Sequence, residues 1–344
     1  MTTTNTSTIG TSSRTYSTIA SWEDATDNDL VSGDVVEVGE CYNDSEFTPA
    51  SQISFAGATV DSTRYRKLTA ATGHSFADHA NKLTNALKYN QSVGVGVTGT
   101  FGYASGVLYI NENYFVVERL QIKATHAVDT GGIRNDSDVT TIKDCIIEAN
   151  ASNSTNGGTL DWRGVGAKKA INLLCRLTGS GRYRIAKFNP GTGAKVLNCT
   201  FVADSDLGTP PTYGFQCDYS GFTMQNCAMF GATNLKVGSG TPTYTTCATD
   251  LSSPPSGWTG SLTYSSQFEG TASTGPDFRL KSGANLADAG TTDTDAATDI
   301  VGTTRSSYDI GCWELASAAT VVGPLIGSSH ILSNGSLING RLTL

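Results

Sequence analysis

The segment VTTIKDCIIEA, residues 139–149, decides the fold, because its pattern returns on both sides of it. Aligned on their central position, YFVVERLQIKA (114–124), KAINLLCRLTG (169–179), AKVLNCTFVA (194–203), FTMQNCAMFG (222–231) and TYTTCATD (243–250) place Leu120, Cys145, Cys175, Cys199, Cys227 and Cys247 in one column. The intervals are 25, 30, 24, 28 and 20 residues, the range of a solenoid turn, and each run alternates apolar with polar positions as a half-buried strand does. Two places on stand Ile122, Ile147, Leu177, Phe201, Met229 and Thr249. Both columns are expected to face a core, which makes the cysteines packing residues.

A second strand precedes most of these runs: GGIRND (131–136), YRIAKF (183–188), YGFQCD (213–218) and TNLKVG (233–238). Each coil therefore holds at least two strands joined by Gly, Asn, Asp or Ser turns. Stacked coils about 4.8 Å apart put equivalent residues above one another. The expected fold is all-β, a single right-handed parallel β-helix over residues 17–315. Residues 1–16, Thr/Ser-rich with little to bury, read as an extended arm, and the apolar residues 316–344 read as a tail. Around Ile19 and Trp22 the spacing predicts one short helix, with Ser17 able to cap it, lying as a lid on the solenoid.

Composition narrows function by exclusion. Charged residues make up 16% of the chain and the net charge is -8, with 23 Lys and Arg dispersed, so a nucleic-acid surface is not expected. No apolar run approaches the roughly 20 residues that span a bilayer, and MTTTNTSTIGTSSRTYS lacks the basic and apolar regions of a secretion signal. Synthesis in the bacterial cytoplasm, with release on a virus particle, is the expectation. The eight cysteines include no CxxC and no Cys-His set of zinc spacing, so neither metal nor cofactor is expected.

The ends carry a resemblance. The helix followed by Gly33-Asp34-Val35-Val36-Glu37-Val38 and a turn ending at Tyr42, with Asp277-Phe278-Arg279-Leu280, Ala284 to Gly290 and Asp309-Ile310-Gly311-Cys312-Trp313-Glu314 near the other end, resembles the pectate-lyase-like β-helix superfamily. This similarity implies capped solenoid ends and a surface that often handles polysaccharide; phage spikes of similar fold are generally homotrimers.

Glycan cleavage needs two carboxyls about 5 to 9.5 Å apart across one groove. Asp144, Asn198 and Asn226, each directly before its cysteine, read as an outward, solvent-facing ladder. Glu148, Asp161 and Asp218 lie on or beside strands and are the candidate catalytic acids. The chain contains no Asp-Asp pair, no Asn-Thr-Asp, no Gly-His-Gly, no Trp-x-Asp-His and no Arg-x-Pro-x-x-Arg. His74 and His79 fall in an irregular insertion, 60–105, read as loop surface, and the pairs Asp136/Asp138, Asp204/Asp206 and Asp293/Asp295 read as turn chemistry. Trp162, Tyr183 and Tyr219 are the candidate carbohydrate-binding aromatics.

Three functions follow as expectations. The first is a structural virion protein of a tailed bacteriophage, a head fibre, capsid decoration or tail spike. It would be a homotrimer on the virion surface that touches host polysaccharide. It would be held to other virion proteins through Leu325, Ile326, Ile331, Leu332, Leu337, Ile338, Leu342 and Leu344. The second is a polysaccharide lyase or glycoside hydrolase, and the third a non-catalytic adhesin.

Overall fold

A computed structural model describes residues 1–101, 106–125, 131–150, 158–178, 183–203, 210–270 and 275–315, with the backbone alone of two short strands, Leu337–Ile338 and Arg341–Leu342. The eight tail residues named above therefore fall outside the described side chains. Among the described residues the chain winds repeatedly through three sheets of nine, eight and seven strands, each neighbour parallel to the next. A full coil reads, for example, Gly158–Trp162 in the third sheet, Lys169–Ile171 in the first and Leu174–Thr178 in the second. This is a right-handed parallel β-helix with three strands per coil.

The corner between first and second sheets is a single residue in left-handed conformation: Arg119, Asp144, Asn172, Asn198, Asn226 and Thr246, with φ between 47° and 62°. Asn and Asp tolerate this region better than other side-chain-bearing residues, which explains their place before the column. The next residue of each coil points inward, and Leu120, Cys145, Leu173, Cys199, Cys227 and Cys247 are all fully buried. One rung differs from the sequence alignment. Leu173 holds the corner column, and Cys175 lies two residues on, paired with Ile147 above and Phe201 below. A two-residue slip preserves the face of a strand, so Cys175 is still core. All eight cysteines are free and buried, and burial pushes the Cys312 thiol up to about 12.

The N-terminus differs too. Instead of hanging free, Thr3–Ile9 adds a strand above Val35–Cys41, in register from Thr3 opposite Val35 to Ile9 opposite Cys41. Arg14 fastens the return, with hydrogen bonds of 2.9 and 2.7 Å to Asp44 and its guanidinium 3.6 Å over the Tyr42 ring. Beneath, the helix Ile19–Thr26 covers the coil end, capped by Thr18 in a reciprocal pair with Ser21 rather than by Ser17. A Cβ on Gly39 would meet the Trp22 ring at 2.8 Å, so the strand approaches the helix only because this position is glycine.

The segment expected to close the far end does something else. Residues 264–270 and 275–315 run back along the outside of the second sheet, where Phe268, Phe278, Leu280, Leu286 and Ile310 pack on Ile146, Leu174, Val202 and Phe230. From the other side Phe76, Ala77 and Leu87 join the same cluster. The stretch 60–105 is thus not all insertion: it holds the strands Arg66–Ala70 and Gly96–Gly99, and between them Phe76, Ala77 and Leu87 form a pad over the second sheet.

Candidate functional site

The three outer faces are unequal. That of the second sheet is covered by the strap and the pad just described. On the first sheet, Ala296 of the strap sits against Ile171 and Leu197, and Asp295 bridges Lys169 and Lys195 at 2.9 and 3.0 Å. Among the described residues neither strap nor pad covers the outer column of the third sheet, where Ser54, Tyr109, Arg134, Asp161, Lys187, Gln216 and Val237 stack in register on successive coils. Its described contacts stay within the sheet and its turns.

Strand alternation places these side chains outward. In GTLDW, Leu160 and Trp162 are fully buried and Asp161 lies between them, facing out. Arg163 then folds back on Asp161, donating from Nε and Nη2 to Oδ2 at 3.0 and 2.6 Å. One coil above, Arg134 grips Asp136 in the same way, at 3.1 and 2.5 Å, and lies over the Tyr109 ring at 4.9 Å, while the Tyr109 hydroxyl donates to Asp136 at 3.2 Å. Asp218 accepts from Asn189 Nδ2 at 2.9 Å and from Gln216 Nε2 at 2.7 Å. Each acid of the face is therefore held by a neighbour on the face.

Two groups are left over. Asp161 Oδ1 is buried and has no hydrogen-bond partner among the described residues. Lys187, directly below Asp161, makes no hydrogen bond or ion pair to a described residue, and burial depresses its ammonium, with Asp161 opposing and Arg163 and Arg184 adding to the depression. An acceptor and a donor without partners among the described residues thus stand one coil apart. At the edge, Tyr183 and Tyr213 meet edge-to-face at 5.1 Å, both half-buried.

The sequence candidates are redistributed. Asp161 and Asp218 do share this face, but two coils and two residues separate them, a Cα distance of roughly 12 Å from the coil and strand spacings. Glu148 lies on the second sheet, 4% exposed, between Lys123 at 2.8 Å and Arg176 at 2.6 Å; it is a covered ion pair and joins no groove. Trp162 is corrected from a surface aromatic to core, since it is fully buried with its edge on Phe188, ring centroids 5.8 Å apart. Tyr183 belongs to the face, whereas Tyr219 is 53% exposed on the turn leading to the first sheet.

The polar ladder is also corrected. Asn198 and Asn226 point away from the solenoid core as parity required, yet they are buried, because the strap lies on them, while Asp144 is half-buried; Asn172, not in the ladder as read from the sequence, is a further buried rung. His74 accepts from the Asn43 amide at 3.1 Å and packs at a tilt against Tyr42. Asp136 and Asp295 are in ion pairs, Asp138 accepts from Val165 N and Asp293 caps the turn at 294–296; Asp204 and Asp206 lie outside the described residues. Among the described residues no group of His, Cys, Asp and Glu has the arrangement of a metal site, and no helix is long and apolar enough to cross a membrane.

Sequence reasoning passed over Arg134, Arg163, Lys187 and Asn189. Their signal was present in IRND, LDWR and IAKFN, where charged or amide positions alternate with apolar ones.

No family model and no curated protein matches the chain. Among solved structures, pectate lyase Pel9A is similar over 90% of this chain and 97% of that one, at 14% identity and a TM-score of 0.41. The pectin methylesterase from Aspergillus niger is similar over 73% of this chain and 88% of its own, at 14% identity and a TM-score of 0.40. The likeness is one of fold and says nothing of chemistry.

Proposed function

We propose that this chain is a structural β-helix of a tailed-bacteriophage particle, a fibre, decoration or spike protein, which holds host-surface glycan on the third sheet without cleaving it. The observation that carries the non-catalytic part is the engagement of Asp136, Asp161 and Asp218 by Arg134, Arg163 and Asn189. These carboxyls are engaged by neighbours along the face and are not paired with one another across a groove, the arrangement that glycan cleavage needs. The same arrangement suits binding. Arg134, Arg163 and Lys187 balance Asp136, Asp161 and Asp218 in charge, and the face offers fixed donors and acceptors beside two tyrosines, which matches a hydroxyl-rich sugar chain.

Incubation of the purified chain with host capsular polysaccharide or lipopolysaccharide should retain the glycan while producing neither new reducing ends nor unsaturated sugars. Release of such products would replace this reading with the depolymerase reading. Attachment to the particle is assigned to residues 316–344 on their composition. A chain lacking them should fold but fail to enter particles, and unimpaired incorporation would remove the anchor from the proposal.

A further inference from the structure

The strap is seated on a ladder with one chemically odd rung. Asn172, Asn198 and Asn226 donate their side-chain amides to the strap carbonyls of Thr298, Asp309 and Thr291, at 2.8, 3.3 and 2.7 Å. Asp144 holds the same left-handed corner one coil above Asn172 but carries a carboxylate, which accepts from Asn172 Nδ2 at 2.8 Å. Facing it are Glu118 and Lys143 of the first sheet and Asp299 of the strap. Lys143 is itself paired with Glu118 at 2.9 Å.

Within the strap, buried Asp299 accepts from the amides of Val301, Thr303 and Glu314 at 3.0, 2.7 and 3.1 Å. Buried Asp309 accepts from Asp288 N at 2.7 Å and from Leu315 N at 2.6 Å, at the root of residues 316–344. Glu314 pairs with Arg305 at 3.0 Å, and Arg305 reaches the ladder at Asn172 Oδ1, 3.2 Å away. Asp144, Asp299, Asp309 and Glu314 thus lie along this seat, and of these Glu314 pairs with the buried guanidinium of Arg305.

We propose that the seat is a proton-operated clasp that takes up protons as the solution becomes weakly acidic and holds the strap, with the root of residues 316–344, more tightly in acid than at neutral pH. Burial is the chief cause that raises Asp144 to about 6, with Glu118 and Asp299 adding to it; burial likewise raises Asp309 to about 6, helped by Glu314, and lifts Asp299. An acid raised in the folded state binds its proton more tightly there than when unfolded. Its contribution is therefore fully present below the unfolded value of 3.8 and is lost as pH rises through about 6. The clasp does not depend on what residues 316–344 hold.

Hydrogen exchange on the full chain tests this. Protection factors, which divide out the intrinsic pH dependence of exchange, should fall about tenfold or more for amides 291–314 between about pH 5 and pH 8, one pKa unit being tenfold in the equilibrium. Amides 184–188 of the third sheet, remote from the seat, serve as the internal reference. Asp144→Asn, which restores an amide rung in a conformation Asn accepts, should raise protection at the higher pH and shrink the fall. Carbon NMR of the aspartate carboxyls in the unaltered chain should find midpoints near 6. Flat protection across the range, or carboxyls that all titrate near 4, would overturn the clasp.

Discussion

Arg66→Ala is expected to lower the unfolding free energy by about 3–5 kcal/mol, the cost of removing one partner from a buried ion pair. Arg66 is fully buried in the first sheet and binds Glu112 through two nitrogens, with Nε to Oε1 at 2.9 Å. It also donates to Glu23 Oε1 at 3.2 Å, to the Glu23 carbonyl at 3.0 Å and to the Ala56 carbonyl at 3.1 Å. These bonds tie the covering helix Ile19–Thr26 to the coil beneath it. Without the guanidinium, Glu23 and Glu112 keep two carboxyls in a site that already raises Glu23 by burial. Denaturant unfolding followed by circular dichroism measures the loss, and a shift below about 1 kcal/mol would mean that water reaches the site.

Trp162→Ala should cost a similar amount, about 3–5 kcal/mol, because a large ring leaves a cavity that a stacked solenoid cannot collapse. Trp162 lies against Phe188, and Phe188 in turn meets Phe201, Phe215 and Phe222 at 5.5, 5.9 and 6.1 Å between ring centroids. Tyr183→Ala, at the half-buried edge of the open face, should cost about 1 kcal/mol or less in stability and lower glycan retention instead. The pair separates core from surface in one experiment. Equal stability losses would contradict the placement of these two aromatics.

How far the sequence reaches can be judged from such residues. Solenoid and register were legible because one strand pattern recurs at coil spacing and strand parity survives a two-residue slip, as Cys175 and Leu173 illustrate. Trp162 was misplaced for want of its own strand: GTLDW becomes recognisable only when Leu160 and Trp162 are seen to flank an outward Asp161. The asparagine ladder was read with the right parity and the wrong environment. The partners of Asn226 and Asn198, Thr291 and Asp309, lie 65 and 111 residues away, and no local pattern announces that a strap will return over them. The open face was half legible for a related reason. Asp161 and Asp218 could be named from their strands, but the arginine that pairs with one and the asparagine that donates to the other act through side-chain geometry.

The third sheet is the surface proposed to hold glycan. Hydrogen exchange with and without a retained host polysaccharide tests that assignment most directly. The prediction is added protection at 131–136, 158–163, 184–189 and 213–218, weakened by Lys187→Ala, with the glycan recovered intact. Protection confined to the first sheet or the strap, or a shortened glycan, would contradict it.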